Sequence, residues 1–321
     1  RSLRKGIYAL PRSIRQTIMR VLLVPIWHSL THCIARAFEE CGHEVRVVDW
    51  RNVKRKRQSV EDVCIQAARE FKPEFAWCQF QTAGIITSRF PQTLKDLGCF
   101  AVNWAGDVRN PLPRWYVDMA EHFAVTSFSN MTDVEEMRSH GHRSEFLQVG
   151  YDEHLYNVTG AEERSGVVFI GNNYEGDRFP ESASRRALVH AMKEAFGDQF
   201  SVYGTKWEGG MYVAEPDDAK VLRGALVAIN YDHFHRPWFA SDRLIRGTAC
   251  GCAMVSQWYE GIEIEHPHVV GVKTIEDAVD AVRLLLEHPD KARQLGALSA
   301  ANTLQKHRWN NRVKHMTTWL S

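Results

Sequence analysis

Short apolar runs alternate with segments in which apolar residues recur every three to four positions, and the alternation begins near Met19. Residues 20–25 and 43–50 have the composition of buried strands. Between them, 30–41 carries helical periodicity and stops at Gly42, where a glycine can take the left-handed conformation that closes a helix. A helix over 60–71 stops near Pro73, 74–80 makes a third strand, and 87–97 a helix ending at Gly98. Strands follow at 99–104, 122–127 and 144–149. Strands separated by helices at these intervals predict parallel β-α-β units with right-handed crossovers.

The pattern restarts after the polar stretch 152–165. Strands are expected at 166–170, 200–203, 225–230 and 253–256, with helices over 181–196, 241–249, 275–286 and 290–303 and a closing helix over 308–320. The expected fold class is therefore α/β, two doubly wound Rossmann-like domains facing a cleft. Residues 1–18 would form an N-terminal extension, 19–157 the first domain, 158–305 the second and 306–321 the closing helix. Ligands of open parallel sheets bind outside the carboxyl ends of the strands, so the residues just after each strand are the ones to read for chemistry.

Composition changes this picture little: 321 residues, 44% hydrophobic and 25% charged, are those of an ordinary folded protein. The seven cysteines are scattered without a C-x-x-C pair, so neither a disulfide framework nor a zinc ribbon is expected. No run approaches the roughly 18 apolar residues of a membrane span, and the apolar run 21–27 is too short for a signal-peptide core, so the expected location is cytoplasmic. Charge changes it more. Residues 1–57 carry 13 Lys/Arg against 4 Asp/Glu, which a net charge of +1 conceals. Lys54, Arg55, Lys56 and Arg57 follow the second strand. Such a run is either a solvated face or a surface for a polyanion: DNA, a cell-envelope polymer of teichoic type or an anionic membrane face.

At the strand ends of the second half, Gly171, Asn172 and Asn173 make either a simple turn or a cradle in which backbone N–H groups approach an anion, since glycine has no Cβ to block it. Tyr203, Gly204, Lys206 and Trp207 combine a small residue, a cation and a wide aromatic face, a set suited to a nucleobase beside a phosphate or to a capped core strand. No G-x-G-x-x-G and no P-loop is present, which removes support for a dinucleotide dehydrogenase or a nucleoside triphosphatase. The groups Asp232/His233/His235 and His266/His268 lack metal-ligand spacing, and no metal site is expected.

The segment from Asn230 through Ser241-Asp242-Arg243 to Gly251 and Ser256, with Phe169-Ile-Gly171-Asn172 before it and Leu286-Glu-His-Pro-Asp and His307-Arg-Trp after it, resembles the C-terminal domain of CgeB-like glycosyltransferases of the GT-B fold, over roughly residues 166–315. The first half matches in architecture and in Gly150-Tyr-Asp-Glu-His-Leu-Tyr156. The resemblance implies a metal-independent glycosyltransferase that takes a nucleotide-sugar co-substrate, a UDP-sugar being the expected donor, with no other cofactor. Asn230, Asp242 and Arg243 would lie beside the donor, Arg243 offering a guanidinium fork to a diphosphate; Asp242 with a solvated Arg243 is otherwise a helix cap. The acidic E-x7-E pair of the wider group is absent: Trp238 and Arg246 stand at its two positions.

An inverting enzyme needs a base for the acceptor hydroxyl, and strand ends of the first domain offer Asp107 and His28. Acceptor contacts are expected from Arg109, Lys54, Arg55 and Arg57. Two alternatives accompany this reading: a phage-type DNA glycosyltransferase acting on a modified base, and a noncatalytic sugar- or nucleotide-binding protein.

Overall fold

The computed structural model describes residues 18–25, 28–109, 111–160, 163–174 and 176–320, with the backbone alone for 28–31. Nearly all of the expected N-terminal extension 1–18, and the side chain of His28, lie outside the described residues. The described residues divide into two compact units, one running to residue 128 together with 133–147 and 309–320, and one of residues 129–132 and 148–308.

The first unit is built from β1 (Arg20–Val24), α1 (His28–Glu40), β2 (Glu44–Val47), α2 (Trp50–Arg55), α3 (Val60–Phe71), β3 (Phe75–Cys78), α4 (Arg89–Asp96), β4 (Phe100–Ala105), α5 (Arg114–Ala120), β5 (Val125–Phe128), α6 (Met131–Ser139) and β6 (Ser144–Phe146). Its six strands are all parallel, in the order β2-β1-β3-β4-β5-β6. Central strands read as unbroken apolar runs because helices cover both faces, and Val21 to Val24 are fully buried. The expected second strand over 43–50 is shorter: Asp49 accepts a hydrogen bond from the Asn52 amide at 3.1 Å and starts α2 instead, with Trp50 buried beneath it.

The second unit contains β7 (Ser165–Ile170), α7 (Ser182–Phe196), β8 (Phe200–Tyr203), α8 (Asp217–Gly224), β9 (Ala225–Asn230), α9 (Asp242–Ala249), β10 (Ala253–Gln257), α10 (Ile262–Glu265), β11 (Val270–Val272), α11 (Ile275–Glu287) and α12 (Pro289–Lys306). Its parallel sheet runs β11-β10-β9-β7-β8. The last helix, α13 (Trp309–Thr317), belongs to the first unit, where Trp309 packs edge-on to Trp77 and Trp104 at 6.2 and 5.8 Å. These three tryptophans are core residues.

Each sheet starts in its middle. β1 lies between β2 and β3, and β7 between β8 and β9, so the winding reverses between β1 and β3 and again between β7 and β9. At such a point the loops leaving adjacent strands part to opposite faces and leave a crevice at their carboxyl ends.

Candidate functional site

In the second unit the loops after β7 and β8 are zipped together. The Gly171 amide donates to the Tyr203 carbonyl at 2.7 Å, the Thr205 amide to Asn172 Oδ1 at 2.9 Å, and Asn173 Nδ2 to the Lys206 carbonyl at 3.0 Å. Trp207 Nε1 donates to the Gly171 carbonyl at 2.6 Å while its ring meets Phe169 edge-on. Gly204, at φ +135°, is required here, since a Cβ would lie 2.3 Å from the Gly171 oxygen. Asn172, Asn173 and Trp207 thus shape the Gly171 loop through these bonds, and Lys206 is exposed beside it.

Two arginines converge on the loop so formed. A Cβ on Gly171 would lie 2.9 Å from Arg243 Nη2 and 3.0 Å from Arg185 Nη2. Arg243, in the first turn of α9, donates through Nε to the Ile170 carbonyl and through Nη1 to Asn230 Oδ1 at 3.1 Å. Arg185, on α7 and only 2% exposed, donates to the carbonyls of Tyr231 and Asn172. Both guanidinium groups lie over the Phe169 ring, at 5.0 Å for Arg185 and 5.4 Å for Arg243. Asp232, 3.6 Å from Arg243, is the one carboxylate ion-paired to either among the described residues. Burial, then the like charge of Arg243, pulls Arg185 down to about 9, with Asp232 acting against them. Asn230 is fully buried, and its amide is committed to Arg243, Ser241, Asp232 and Ser256, so it holds the guanidinium in place.

Next to the pair, loop residues Tyr174, Phe179 and His233 form a ring cluster with centroids 4.6–5.0 Å apart. Burial, then Arg185 and Arg243, lowers His233 to about 3, so its imidazole is neutral at ordinary pH. Asp242 turns along α9 to Arg246 at 3.0 Å. Arg246 also pairs with Glu215 at 2.7 Å and Asp218 at 3.2 Å, and its guanidinium lies 4.8 Å over the Tyr156 ring. Burial works to raise the Asp242 carboxyl, but Arg246, then Arg243 and backbone N–H bonds hold it below the usual carboxylate range. Arg246 is thereby the hub of an ionic cluster tying α8 to α9.

In the first unit, Arg109 and Gln81 meet at the ends of β4 and β3. Arg109 Nη1 donates to the Gln81 carbonyl at 3.2 Å and Nη2 to Gln81 Oε1, while the Arg109 amide donates to buried Asp133 at 2.6 Å. Arg109 Nε and Gln81 Nε2 are buried without a hydrogen-bond partner among the described residues. Asp107 lies exposed in the same loop as Arg109. Lys54, Arg55, Lys56 and Arg57 are exposed at the end of α2, with no ion-pair partner among the described residues. His28 begins α1 directly after β1.

Arg185 escaped the sequence reading although its position carried a signal. It shares the helical spacing of Leu188, Val189 and Met192, all buried, whereas adjacent Arg186 is only half-buried and pairs with Asp177 at 2.7 Å. A cation on the apolar stripe of a helix is the mark that was available. Among the described residues no group of three His, Cys, Asp or Glu is placed to hold a metal ion, and no helix is long and apolar enough to cross a membrane.

Residues 184–318 match the family model described as glycosyl transferase-like, a level coarser than the CgeB-like branch. No curated protein matches the sequence. Among solved structures, sucrose-phosphate synthase from Thermosynechococcus elongatus aligns at 10% identity and TM-score 0.61, covering 93% of this chain and 97% of its own. A trehalose-6-phosphate structure from E. coli bound with UDP-2-fluoro glucose aligns at 9% identity and TM-score 0.58, covering 94% of this chain and 98% of its own. An α1,3-fucosyltransferase with GDP-fucose aligns at 11% identity and TM-score 0.55, covering 98% and 94%. At these identities the likeness is one of fold, and the fold is GT-B.

Proposed function

We propose that the chain, which has the GT-B fold, is a glycosyltransferase whose second unit holds a nucleotide-sugar donor, a UDP-sugar first, with the diphosphate at Gly171. The observation that carries this is the convergence of Arg185 and Arg243 on a residue without a Cβ, at the crevice between β7 and β9. Two cations share one paired carboxylate, Asp232, so a bound dianion offsets a repulsion the protein itself maintains. As the glycosidic bond breaks, negative charge grows on the departing diphosphate. Fixed guanidinium N–H groups and the positive end of α9 stabilise that charge without reorganisation and without a metal ion. Structures of the same fold with UDP-2-fluoro glucose and GDP-fucose support a nucleotide sugar as the ligand.

The acceptor is assigned to the first unit. Asp107, exposed in the loop after β4, takes the acceptor proton, and Arg109, in the same loop, orients an oxygen of the acceptor. Incubating the protein with a panel of UDP-, GDP-, ADP- and TDP-sugars and measuring nucleoside diphosphate release tests the reading. Release with one donor, lost in Arg243→Gln, is expected. No release and no binding with any donor contradicts it.

The exposed run Lys54–Arg57 favours a second reading of the acceptor as a polyanion such as duplex DNA. Binding that weakens steeply with salt, and weakens further when the four are changed to Gln, is its signature; salt-independent or absent binding excludes it.

A further inference from the structure

Four residues other than glycine have a left-handed backbone among the described residues: Arg57, Lys72, Lys206 and Trp238. Lys72 caps α3, and Arg57 follows the cap of α2, places where a helix commonly ends in this conformation. Lys206 sits in the turn zipped to the Gly171 loop. Trp238, at φ +60°, has no such role. A bulky aromatic residue is among those least suited to positive φ, so the surrounding structure must hold it there.

The hold is visible on both sides of its peptide. The Trp238 amide donates to the Glu260 carbonyl at 2.8 Å, and its carbonyl accepts from Gln148 Nε2 at 3.1 Å. The indole lies flat enough on Gly261, itself at φ +102°, that a Cβ there would sit 2.6–2.9 Å from three of its ring atoms. Gly261 thus makes room for the ring, and Trp238 as a residue is partly exposed. Strain maintained by two hydrogen bonds and a dedicated glycine, in a loop at the carboxyl edge of a parallel sheet, points to function and not to packing alone.

The location narrows the function. Arg185 and Arg243 stand at the gap between β7 and β9, whereas Trp238 and Gly261 belong to the loops leaving β9 and β10, the next gap along the same edge. Asn230 joins the two gaps, accepting from Arg243 at 3.1 Å and donating to Ser256 of β10 at 3.1 Å.

We propose that Trp238 is the platform for the sugar ring of the donor, reading it by the flat C–H face through stacking rather than through a charged hydroxyl contact. The proposal rests on the donor reading above, since it takes the diphosphate at Arg185 and Arg243 as its origin. A pyranose presenting an unbroken axial C–H face would be favoured, and one with axial hydroxyls on that face disfavoured.

The test compares calorimetric affinities for the nucleoside diphosphate and for its sugar ester in wild type, Trp238→Gly and Trp238→Phe, using UDP with UDP-glucose and GDP with GDP-fucose. Glycine accepts the positive φ, so this variant keeps the backbone path. Wild-type affinity for the bare diphosphate, a loss of about tenfold or more for the sugar ester in Trp238→Gly, and a smaller loss in Trp238→Phe support the platform. Equal weakening of both ligands, or no weakening of either, overturns it while leaving the donor reading in place. Failure of the wild type to bind any of the four overturns both.

Discussion

Asn230 Oδ1 accepts from Arg243 Nη1 at 3.1 Å, in the fully buried floor of the crevice between β7 and β9. The same amide receives Ser241 Oγ at 2.9 Å and donates to Ser256 and Asp232, each at 3.1 Å, so one uncharged side chain fixes the guanidinium, the start of α9 and the end of β10. Replacing it with Ala strands several buried partners. Asn230→Ala is expected to lose about 1–3 kcal/mol of stability in urea denaturation and to bind nucleotide more weakly. Unchanged stability and affinity together would show that Arg243 is held by other contacts.

Gly171 and Gly204 face each other across the zipped loops and should respond differently to a methyl group. At Gly171 the new Cβ meets the guanidinium ends of Arg243 and Arg185, at 2.9 and 3.0 Å, which can yield only by giving up hydrogen bonds and the anion position. Gly171→Ala is expected to lose less stability than Gly204→Ala and to weaken nucleotide binding about tenfold. At Gly204 the obstacle is backbone, 2.3 Å away, at a φ of +135°. Gly204→Ala is expected to cost at least about 1–3 kcal/mol in thermal unfolding. The reverse ranking would contradict the geometry.

Arg246 is ion-paired with Glu215, Asp218 and Asp242 together. Removing the cation leaves three carboxylates and the Tyr156 hydroxyl facing one another, with Asp218 buried. Arg246→Met is expected to destabilise by about 3–5 kcal/mol, read by chemical denaturation. A loss within the error of the measurement would mean that the cluster is solvated enough to disperse.

The strand-helix order was legible because the two parallel sheets demand unbroken apolar runs, and the runs at β7, β8 and β9 stand out on either side of polar loops. Helix α8 was not. Its sequence, Asp217-Asp-Ala-Lys-Val-Leu-Arg-Gly224, buries little beyond Asp218, Ala219 and Leu222, too few apolar positions to show a period. Helix α2 was hidden by its cations, which mask the single buried anchor Trp50. Arg243 was readable from its place after Ser241-Asp242, whereas its partner Arg185 was not, because Arg185 and Arg186 look alike until the helix shows which one turns inward. The pairing of Arg246 with acids from α8 depends on tertiary packing and left no local trace.

His233 is held at about 3 and His315 at about 4, in both cases mainly by burial, and burial lowers His43 as well. An unfolded histidine titrates near 6.5. Between those values the unfolded chain binds protons that the folded chain refuses, so stability falls as pH is lowered from about 6.5. His233→Phe keeps a ring in the cluster and removes the titration. Its melting temperature should fall less between pH 7 and pH 5 than that of the wild type. An equal fall would show that His233 is protonated in the folded protein.

The claim that unites these residues is that Arg243, paired with Arg185 at Gly171, holds the diphosphate of the donor. Calorimetric titration of wild type and Arg243→Gln with the nucleoside diphosphate released in the donor panel measures it directly. A charge-assisted hydrogen bond is worth about 1.5–3 kcal/mol, which predicts affinity lower by roughly 10- to 100-fold in the variant with its fold retained. Equal affinity in the two proteins would place the diphosphate elsewhere and contradict the assignment.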